Sequence, residues 1–488
     1  MFFYVTLLRP PPASCSLPST STGPSTSNGR AQHKAKASDK ASKSKNTDKS
    51  GKTKGVGKAG PTPGIVNICP EISNDLRYEN LDEPAGRDIY YTWIKCGESG
   101  NPLAHPATWP AKLTTYRADT SSRYKELPVA VPREAKHGDR WRLALWCELA
   151  GQPKARPPSA PKVVIELCSP LLGAWPLPVM SEPVVFDGVP TEKQVLVSRV
   201  YSLGRVDKRE VEDVLLLTIT ERTGYNLATK VWDSGIGLSS WICGLAESHP
   251  DSELEAQMRH ILLSPGKRRI VELGAGTGIL SFTLAALRQA LRKKRLQETL
   301  AVEGSEGVDT TAREEDDDEI FVTDLESALD LLDHNLRQNI HLYEARPTIP
   351  IESEATPEGE QPRSPPAGLQ ALELNWDKPD LPEAIARGGA LDLVMMADVT
   401  YNTDSFPELV STMKSLIALS PAPTPPPMFL LGYKQRHPDE RVLWDMAEKQ
   451  AGVHFVKVAE RRGYARPAED VTGRGEGPVE IWIGTVQR

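Results

Sequence analysis

A cluster of small residues, GAGTG, follows an apolar stretch in the segment RRIVELGAGTG, residues 268–278. Glycines stand at Gly274, Gly276 and Gly278, directly after a predicted strand. Residues without side-chain bulk let a ligand approach the backbone, and a helix that begins just beyond them adds free N–H groups. A turn that only has to be tight would use the same residue type. This segment alone therefore leaves both interpretations open.

The spacing of these glycines excludes two common phosphate-binding turns. A dinucleotide-binding GxGxxG segment would need a glycine at position 279, where Ile279 stands. The chain also lacks the GxxxxGK[ST] sequence of a P-loop. The pattern that is present is ExGxGxG, which runs from Glu272 to Gly278.

Two carboxylates follow later apolar stretches. Asp324 ends the stretch IFVTD, and Asp398 follows LDLVMMA. Ligands of open α/β sheets bind at the carboxyl ends of the strands, where a carboxylate can accept both hydroxyls of a ribose. The competing interpretation is structural: Asp324 could cap a helix that starts at Leu325, and Asp398 could cap the turn that follows it.

Strands and helices alternate through the C-terminal part of the chain. Near-continuous apolar stretches such as RIVEL, IFVTD and MFLLGYK are separated by stretches with helical spacing, such as SALDLLDHNLRQN and FPELVSTMKSLIAL. This alternation is typical of a doubly wound sheet with both faces covered. We predict an α/β fold of this kind over residues 231–488, with surface insertions at 297–319 and 344–370. A β-hairpin at 186–230 is expected to lead into it.

The N-terminal part has a different composition. Residues 1–64 are rich in Pro, Ser and Lys and are expected to form a disordered tail. Its basic stretch is either an import or polyanion-binding arm or, more commonly, a solvated segment. Residues 65–185 contain strand-like stretches such as IYYTWIKC and RWRLALWCEL between prolines, which predicts a smaller β-rich unit. The sequence does not indicate the role of that unit.

Composition excludes several functional classes. No apolar run reaches the roughly 18 residues that a membrane span needs, and a net charge of −7 argues against a general nucleic-acid binder. The six cysteines form no CxxC pair and the histidines form no HExxH sequence, so we expect no metal site and a reducing compartment. We expect a monomer that binds neither membranes nor specific nucleic-acid sequences. Its expected location is the cytoplasm, with the nucleus as a second compartment.

Taken together, five segments resemble the family-16 class I S-adenosylmethionine-dependent methyltransferases. In chain order they are VWDSGIGLSSWI, VELGAGTGIL, FVTDLESALDLLDHNL, LELNWDKP and MMADVTYNTDSFPELVSTMKSL. This family includes the methyltransferase-like 21 group and the fungal elongation-factor protein-lysine methyltransferases. The resemblance covers residues 210–485 and leaves the first 185 residues aside. It implies a Rossmann-like seven-stranded sheet and S-adenosylmethionine as the cofactor.

The resemblance also implies roles for particular residues. The backbone of the glycine turn would pass beneath the methionine part of the cofactor, and Asp324 would hold the ribose. Trp376 would flank the adenine, since a flat heterocycle stacks well on an indole. Core packing is the competing interpretation for the tryptophans. The implied cofactor-binding set is Trp232, Glu272, Gly274, Ala275, Gly276, Gly278, Asp324, Trp376 and Ala397.

The segment DVTY, residues 398–401, matches the DxxY motif of the family, which implies catalytic roles for Asp398 and Tyr401. Because a sulfonium methyl donor is already activated, the reaction mainly needs a nucleophile held close and in line. A lysine amine must first lose a proton, and a nearby anion favours the charged ammonium. We therefore expect Asp398 to position the amine rather than act as a strong base, and Tyr401 to close the pocket or hydrogen-bond the amine.

The expected function is protein-lysine N-methylation of a cytosolic protein, such as a translation elongation factor or a chaperone-like ATPase. The same fold could instead methylate a histidine or a small molecule, because substrate choice depends on loops rather than on the fold. A third possibility is a non-catalytic interaction scaffold in which residues 65–185 do the binding.

Overall fold

The described residues of the N-terminal half form β-strands joined by turns. In this computed structural model, the described residues are 1–17, 64–97, 104–119, 124–149, 161–189, 191–205, 214–224, 226–303, 318–343, 368–464 and 477–487. The strands of this half are β1 (Tyr4–Arg9), β2 (Ile65–Ser73), β3 (Arg87–Lys95), β4 (Ala111–Tyr116), β5 (Leu127–Ala130), β6 (Arg140–Leu149), β7 (Val164–Glu166), β8 (Val179–Ser181), β9 (Val184–Val185), β10 (Leu196–Arg205) and β11 (Val214–Arg222). The two stretches predicted as strands are β3 and β6, and they pair antiparallel.

These strands form two sheets. A three-stranded sheet has the order β1-β2-β5, and an eight-stranded sheet runs β11-β10-β8-β6-β3-β4, with β7 beside β10 and β9 beside β6. The hairpin predicted at 186–230 is present as β10 and β11. It leads along the chain into helix α1 (Asp233–Glu247), and β10 also pairs with β7 and β8, so the hairpin is at the same time part of the N-terminal sheet.

The prediction of disorder is wrong for the start of the chain. Residues 4–9 form strand β1, which pairs with β2, and Phe2, Phe3 and Val5 are fully buried. The physical reason is local composition: MFFYVTLL is apolar enough to be buried, although the 64-residue segment as a whole is polar. The rest of the predicted tail, residues 18–63, lies outside the described residues.

The C-terminal half contains the predicted alternation of strands and helices. Its elements are α1 (Asp233–Glu247), α2 (Glu253–Leu263), β12 (Arg269–Leu273), α3 (Ile279–Glu303), β13 (Glu319–Asp324), α4 (Glu326–Gln338), α5 (Ile340–Tyr343), β14 (Leu369–Glu373), α6 (Glu383–Arg387), β15 (Leu393–Ala397), α7 (Phe406–Ala418), β16 (Met428–Tyr433), α8 (Val442–Met446), β17 (Val453–Arg461) and β18 (Val479–Val486). Short 3-10 or π-helical turns adjoin several of them.

The seven strands of this half form one sheet in the order β14-β13-β12-β15-β16-β18-β17. Strands β12 to β16 run parallel to one another, whereas β18 runs antiparallel to both of its neighbours, β16 and β17. The chain proceeds from β12 outward on one side and then returns to place β15 on the other side. The predicted doubly wound α/β fold is therefore confirmed, and its topological switch point lies beside β12, where such sheets bind ligands.

The predicted insertions are only partly described. Helix α3 extends to Glu303 and so occupies the beginning of the insertion predicted at 297–319. Of the second insertion, the last residues belong to the turn and start of β14. Residues 304–317 and 344–367 lie outside the described residues. Within the described residues, no helix is long and apolar enough to cross a membrane.

The two halves share buried apolar side chains. One cluster contains Phe2 and Tyr201 from the N-terminal half together with Ile236 and Trp241 of α1, and it continues to Leu280 of α3. Burial of apolar surface is the main favourable contribution to folding, so this shared cluster holds the β-rich unit against the C-terminal sheet.

Candidate active site

A cavity of about 670 Å³ lies at the carboxyl ends of β12, β13 and β15. This size falls within the range of small-molecule and cofactor sites. Ten of the eleven residues that the sequence singled out line it, and Gly278 is not among the lining residues. The ten are Trp232, Glu272, Gly274, Ala275, Gly276, Asp324, Trp376, Ala397, Asp398 and Tyr401.

The glycine turn has a left-handed backbone at all three glycines, with φ of 64° at Gly274, 57° at Gly276 and 78° at Gly278. The turn is anchored to the neighbouring strand because Ala275 N–H donates to the Thr323 carbonyl oxygen at 3.0 Å. A Cβ on Gly276 would have only ordinary contacts, the nearest at 3.6 Å. A Cβ on Gly278 would instead collide with the Phe282 ring. Gly278 therefore serves packing, and its predicted part in cofactor binding is not supported by its position.

Asp324 is the last residue of β13, and both of its carboxylate oxygens accept hydrogen bonds from backbone N–H groups. Its Oδ2 accepts from Gly276 N–H and its Oδ1 from Leu325 N–H, each at 2.7 Å. The N-cap of α4 is Leu325, so the prediction that Asp324 itself caps this helix is wrong. Each oxygen keeps a second lone pair, so the carboxylate can still accept hydroxyl groups from the cavity. Burial raises the pKa of Asp324, and the two N–H donors oppose that effect.

Two indoles border the cavity. Trp232 is the N-cap of α1, its Nε1 donates to the Leu227 carbonyl at 2.9 Å, and the Arg436 guanidinium lies 5.2 Å from its ring centroid. The Trp376 ring edge lies 3.5 Å from where a Cβ on Gly274 would stand. Both side chains remain partly exposed and line the cavity, so neither is a simple core residue.

Glu272 lies on the floor of the cavity with almost no exposure. Its Oε2 accepts from Ser281 N–H at 3.1 Å. Burial raises its pKa to about 8, and the nearby negative charge of Asp324 adds to this effect, although the bonds from Ser281 oppose it. Glu272 is therefore mostly protonated at neutral pH, whereas the two N–H donors of Asp324 favour its ionised form.

Asp398 follows β15 in a left-handed conformation, with φ of 57°. Its Oδ2 accepts from Ser234 N–H at 3.2 Å and from Arg436 Nη2 at 3.0 Å. It thus caps α1 rather than the turn that follows it. Burial raises the pKa of Asp398, and Arg436 works against that effect. Tyr401 lies at the rim with 59% of its surface exposed.

Four charged residues beside Asp398 were missed by the sequence analysis. Asp233, Lys434 and Arg436 come from the C-terminal half, and Asp75 comes from the N-terminal unit. A signal existed for three of them: Asp233 lies inside the segment VWDSG, while Lys434 and Arg436 directly follow the apolar stretch MFLLGY. Nothing near Asp75 in the sequence points to this site. Among the described residues, no group of three or more His, Cys, Asp or Glu side chains is placed to hold a metal ion.

Comparison with known proteins identifies this region. Residues 211–350 and 364–450 match the family model Methyltransf_16, described as lysine methyltransferase. This part of the chain is similar to that family. The C-terminal half is therefore a methyltransferase domain, and its cofactor is S-adenosylmethionine. No curated protein matches the chain.

Solved structures give weak similarities to the methyltransferase domain. Precorrin-6Y C5,15-methyltransferase from Geobacter metallireducens is 12% identical, with 49% of this chain and 95% of that chain covered at a TM-score of 0.26. TrmN from Thermus thermophilus is 12% identical, with 48% of each chain covered at 0.26. The human methyltransferase 10 domain containing protein is 8% identical, with coverages of 51% and 80% at 0.25. Similarities at this level carry no conclusion about the substrate.

The residues of the cavity fit S-adenosylmethionine. Gly274 and Gly276 leave open backbone along one wall, and Asp324 retains acceptor capacity for ribose hydroxyls. Trp376 presents an indole against which an adenine can stack. The cavity also carries more acidic than basic lining residues, which suits a cofactor with a positive sulfonium.

Proposed function

We propose that the methyltransferase domain is a protein-lysine N-methyltransferase that acts on a cytosolic protein, such as a translation elongation factor or a chaperone-like ATPase. The observation that carries this proposal is the second oxygen of Asp398. Among the described residues, both hydrogen bonds to this carboxylate reach Oδ2, and none reaches Oδ1. Asp398 lines the cavity, so Oδ1 is available to accept a hydrogen bond from a substrate ammonium.

The surroundings of Asp398 support a cationic side chain as the substrate. Asp377 and Asp404 lie exposed among the lining residues, so negative charge extends from the buried end of the cavity to its rim. Such a field attracts a positively charged side chain. Tyr401 stands at the same rim, where its exposed ring can pack on the aliphatic part of a lysine.

The chemistry divides between cofactor and protein. When bound, S-adenosylmethionine supplies an activated methyl group. Asp398 holds the incoming amine at the carboxyl end of β15, which is positioning rather than base catalysis because an anion stabilises the ammonium. The proton leaves to water before transfer. We further propose cofactor contacts for Trp232, Asp324, Trp376, Ala397 and the glycine turn, with Glu272 beneath it.

The experiment that tests this function uses radiolabelled S-adenosylmethionine with a eukaryotic cell lysate, comparing the wild-type protein with Asp398→Asn. We expect a discrete labelled protein band, lost in the variant, that mass spectrometry maps to a lysine. The affinity for S-adenosylhomocysteine should change little in the variant, which shows that the cofactor site is intact. Label on a histidine, or only in the small-molecule fraction, would contradict the proposal and favour another substrate class.

Three further properties are proposed from the sequence alone. We propose a monomer that binds no specific nucleic-acid sequence and works in the cytoplasm, with the nucleus as a second compartment. Light scattering of the purified protein tests the oligomeric state. Microscopy of the tagged protein tests the location.

A further inference from the structure

Five charged side chains form one buried network beside the cavity, called here the Asp75 cluster: Asp75, Asp233, Asp398, Lys434 and Arg436. Lys434 Nζ lies 2.7 Å from Asp233 Oδ2 and 3.5 Å from Asp75 Oδ1. Arg436 joins the other two carboxylates, with Nη2 at 2.9 Å from Asp75 Oδ2 and 3.0 Å from Asp398 Oδ2. The side chain of Asp75 has no exposed surface.

Asp75 is the member of this cluster that comes from the N-terminal β-rich unit. It belongs to the turn after β2, and the next residue, Leu76, lines the cavity itself. The turn is held by hydrogen bonds from Asn74 N–H to Glu79 O at 2.8 Å and from Arg77 N–H to Asn74 O at 3.0 Å. The β-rich unit therefore contributes both a wall residue and a buried charge to the methyltransferase site.

The Arg436 guanidinium is hydrogen-bonded to both Asp75 and Asp398, but not equally. The guanidinium gives Asp75 two hydrogen bonds, from Nη1 at 3.3 Å and from Nη2 at 2.9 Å, whereas Asp398 receives one, from Nη2. A two-bonded arginine–carboxylate pair is the stronger and better-oriented arrangement. Without Asp75, Arg436 would be free to turn its two nitrogens onto Asp398 and neutralise it.

The formal charges of the cluster do not balance. Three carboxylates face two cations, which leaves one negative charge in excess when all five groups are ionised. Buried charge is costly unless it is paired. A substrate ammonium at Asp398 would supply the missing positive charge, and so would a nearby sulfonium.

We propose that Asp75 is a positioning residue for methyl transfer: it draws Arg436 away from Asp398 and adds a negative charge to the site, which favours the cationic substrate and cofactor. The effect of Asp75 on the cofactor requires only that this domain is a methyltransferase. Its effect on the substrate also rests on the lysine function proposed above. The role of the β-rich unit is then to complete the active site.

Two other titratable groups adjoin the cluster. Tyr4 donates to Asp233 Oδ1 at 2.7 Å, and burial raises its pKa, so it stays neutral. Burial lowers the pKa of Lys230 to about 8, with Arg77 adding to the effect and the negative charges of Glu221 and Asp75 opposing it. Lys230 lines the cavity and is a further positive charge that Asp75 attracts.

The first test measures binding of S-adenosylmethionine and S-adenosylhomocysteine by calorimetry, which needs no substrate and no turnover. The two ligands differ by one methyl group and one positive charge. In Asp75→Asn the cluster becomes formally neutral, so the preference for the charged ligand over the neutral one should fall at least about threefold. Asp88→Asn is the matched control, because Asp88 is a buried, ion-paired carboxylate of the same unit on β3. It should leave that preference unchanged.

The second test uses the lysine substrate once it is known. Asp75→Asn should raise KM at least about tenfold with a smaller change in kcat, since the lost charge acts on binding of the ammonium. Asp75→Glu, which keeps the charge, should recover part of the loss. If Asp75→Asn does not fold, Asp75→Ser makes the same charge change and leaves room for a water molecule.

Several results would overturn the proposal. An unchanged preference between the two ligands in folded Asp75→Asn would show that Asp75 does not set the charge of the site. An equal loss in Asp75→Asn and Asp88→Asn would show a merely structural role. A wild-type enzyme that methylates a neutral group would refute the lysine function, while the ligand-preference result would still decide the role of Asp75.

Discussion

Glu272 and Asp324 are carboxylic acids of the same cavity with different environments. Glu272 has one backbone donor and no cation beside it, so burial dominates and its pKa rises to about 8. Asp324 has two backbone donors at 2.7 Å, which hold its ionised form. Burial raises both pKa values, but Asp324 is less buried than Glu272 and its two N–H donors favour the anion, which suits the ribose side of the cavity.

The raised pKa of Glu272 predicts how stability depends on pH. The folded state holds this proton up to about pH 8, whereas the ordinary pKa is 4.5, so its contribution is complete below about 4.5 and is lost as the pH rises through about 8. Glu272→Gln does not titrate. Its unfolding free energy relative to wild type should therefore increase between pH 4.5 and 8, on the order of 5 kcal/mol, and then level off. Urea titrations of the cofactor-free protein across this range measure it, and a flat difference would contradict the assignment.

Asp324→Asn should weaken cofactor binding. The amide nitrogen cannot accept a hydrogen bond, so a backbone N–H of Gly276 or Leu325 loses its partner and the ribose loses an anionic acceptor. A hydrogen bond to a charged group contributes about 1.5–3 kcal/mol, which corresponds to a rise in Kd of about tenfold to a hundredfold. Calorimetry with S-adenosylhomocysteine checks this. Asp330→Asn, at an exposed position of α4, is the control and should keep the wild-type Kd.

At the scale of elements, two positions of the glycine turn require glycine for separate reasons. Gly276 borders the cavity, where a Cβ would have only ordinary contacts, whereas Gly278 packs against Phe282 at the start of α3. Left-handed backbone is required at both, which costs a residue with a Cβ about 1–2 kcal/mol. Gly276 and Gly278 are thus required in the motif for different physical reasons.

Paired alanine substitutions separate these reasons. Gly276→Ala should lower the melting temperature by a few degrees and raise the Kd for S-adenosylhomocysteine at least about tenfold, because the added methyl group enters the space beside the ligand. Gly278→Ala should destabilise the protein more, because overpacking adds about 1–3 kcal/mol to the backbone strain. Thermal unfolding and calorimetry on both variants test this. Equal losses of affinity at equal stability would contradict the division.

Helix α1 shows how elements from distant parts of the chain meet at the site. Its N-cap, Trp232, offers no side-chain acceptor. The first N–H groups are bonded instead by carboxylates from elsewhere, Asp75 for Asp233 N–H at 3.4 Å and Asp398 for Ser234 N–H at 3.2 Å. Anions are favoured at a helix N-terminus, so this end of α1 helps to hold the two acids in place.

At the scale of the whole molecule, the shared apolar cluster predicts that the two halves unfold together. A ligand that binds only the native state at one hundred times its Kd stabilises it by about 2.7 kcal/mol. The slowest-exchanging amides of β6 and β10 should therefore gain protection on S-adenosylhomocysteine binding comparable to that of β12. Hydrogen exchange followed by mass spectrometry measures this. Protection confined to the C-terminal sheet would show that the halves are independent domains.

The amino-acid sequence was enough to predict the C-terminal fold and eleven candidate site residues, ten of which line the cavity. Apolar periodicity is local, so it located β12, β13, β15 and β16, and motifs at strand ends pointed to Asp324 and Asp398 because parallel strands deliver their carboxyl ends to one edge. Tertiary structure alone decided the rest. Composition averaged over 64 residues concealed strand β1, whose burial depends on a partner strand. Asp75 and Arg436 are 361 positions apart, and their contact depends on how two sheets pack, which no local pattern encodes.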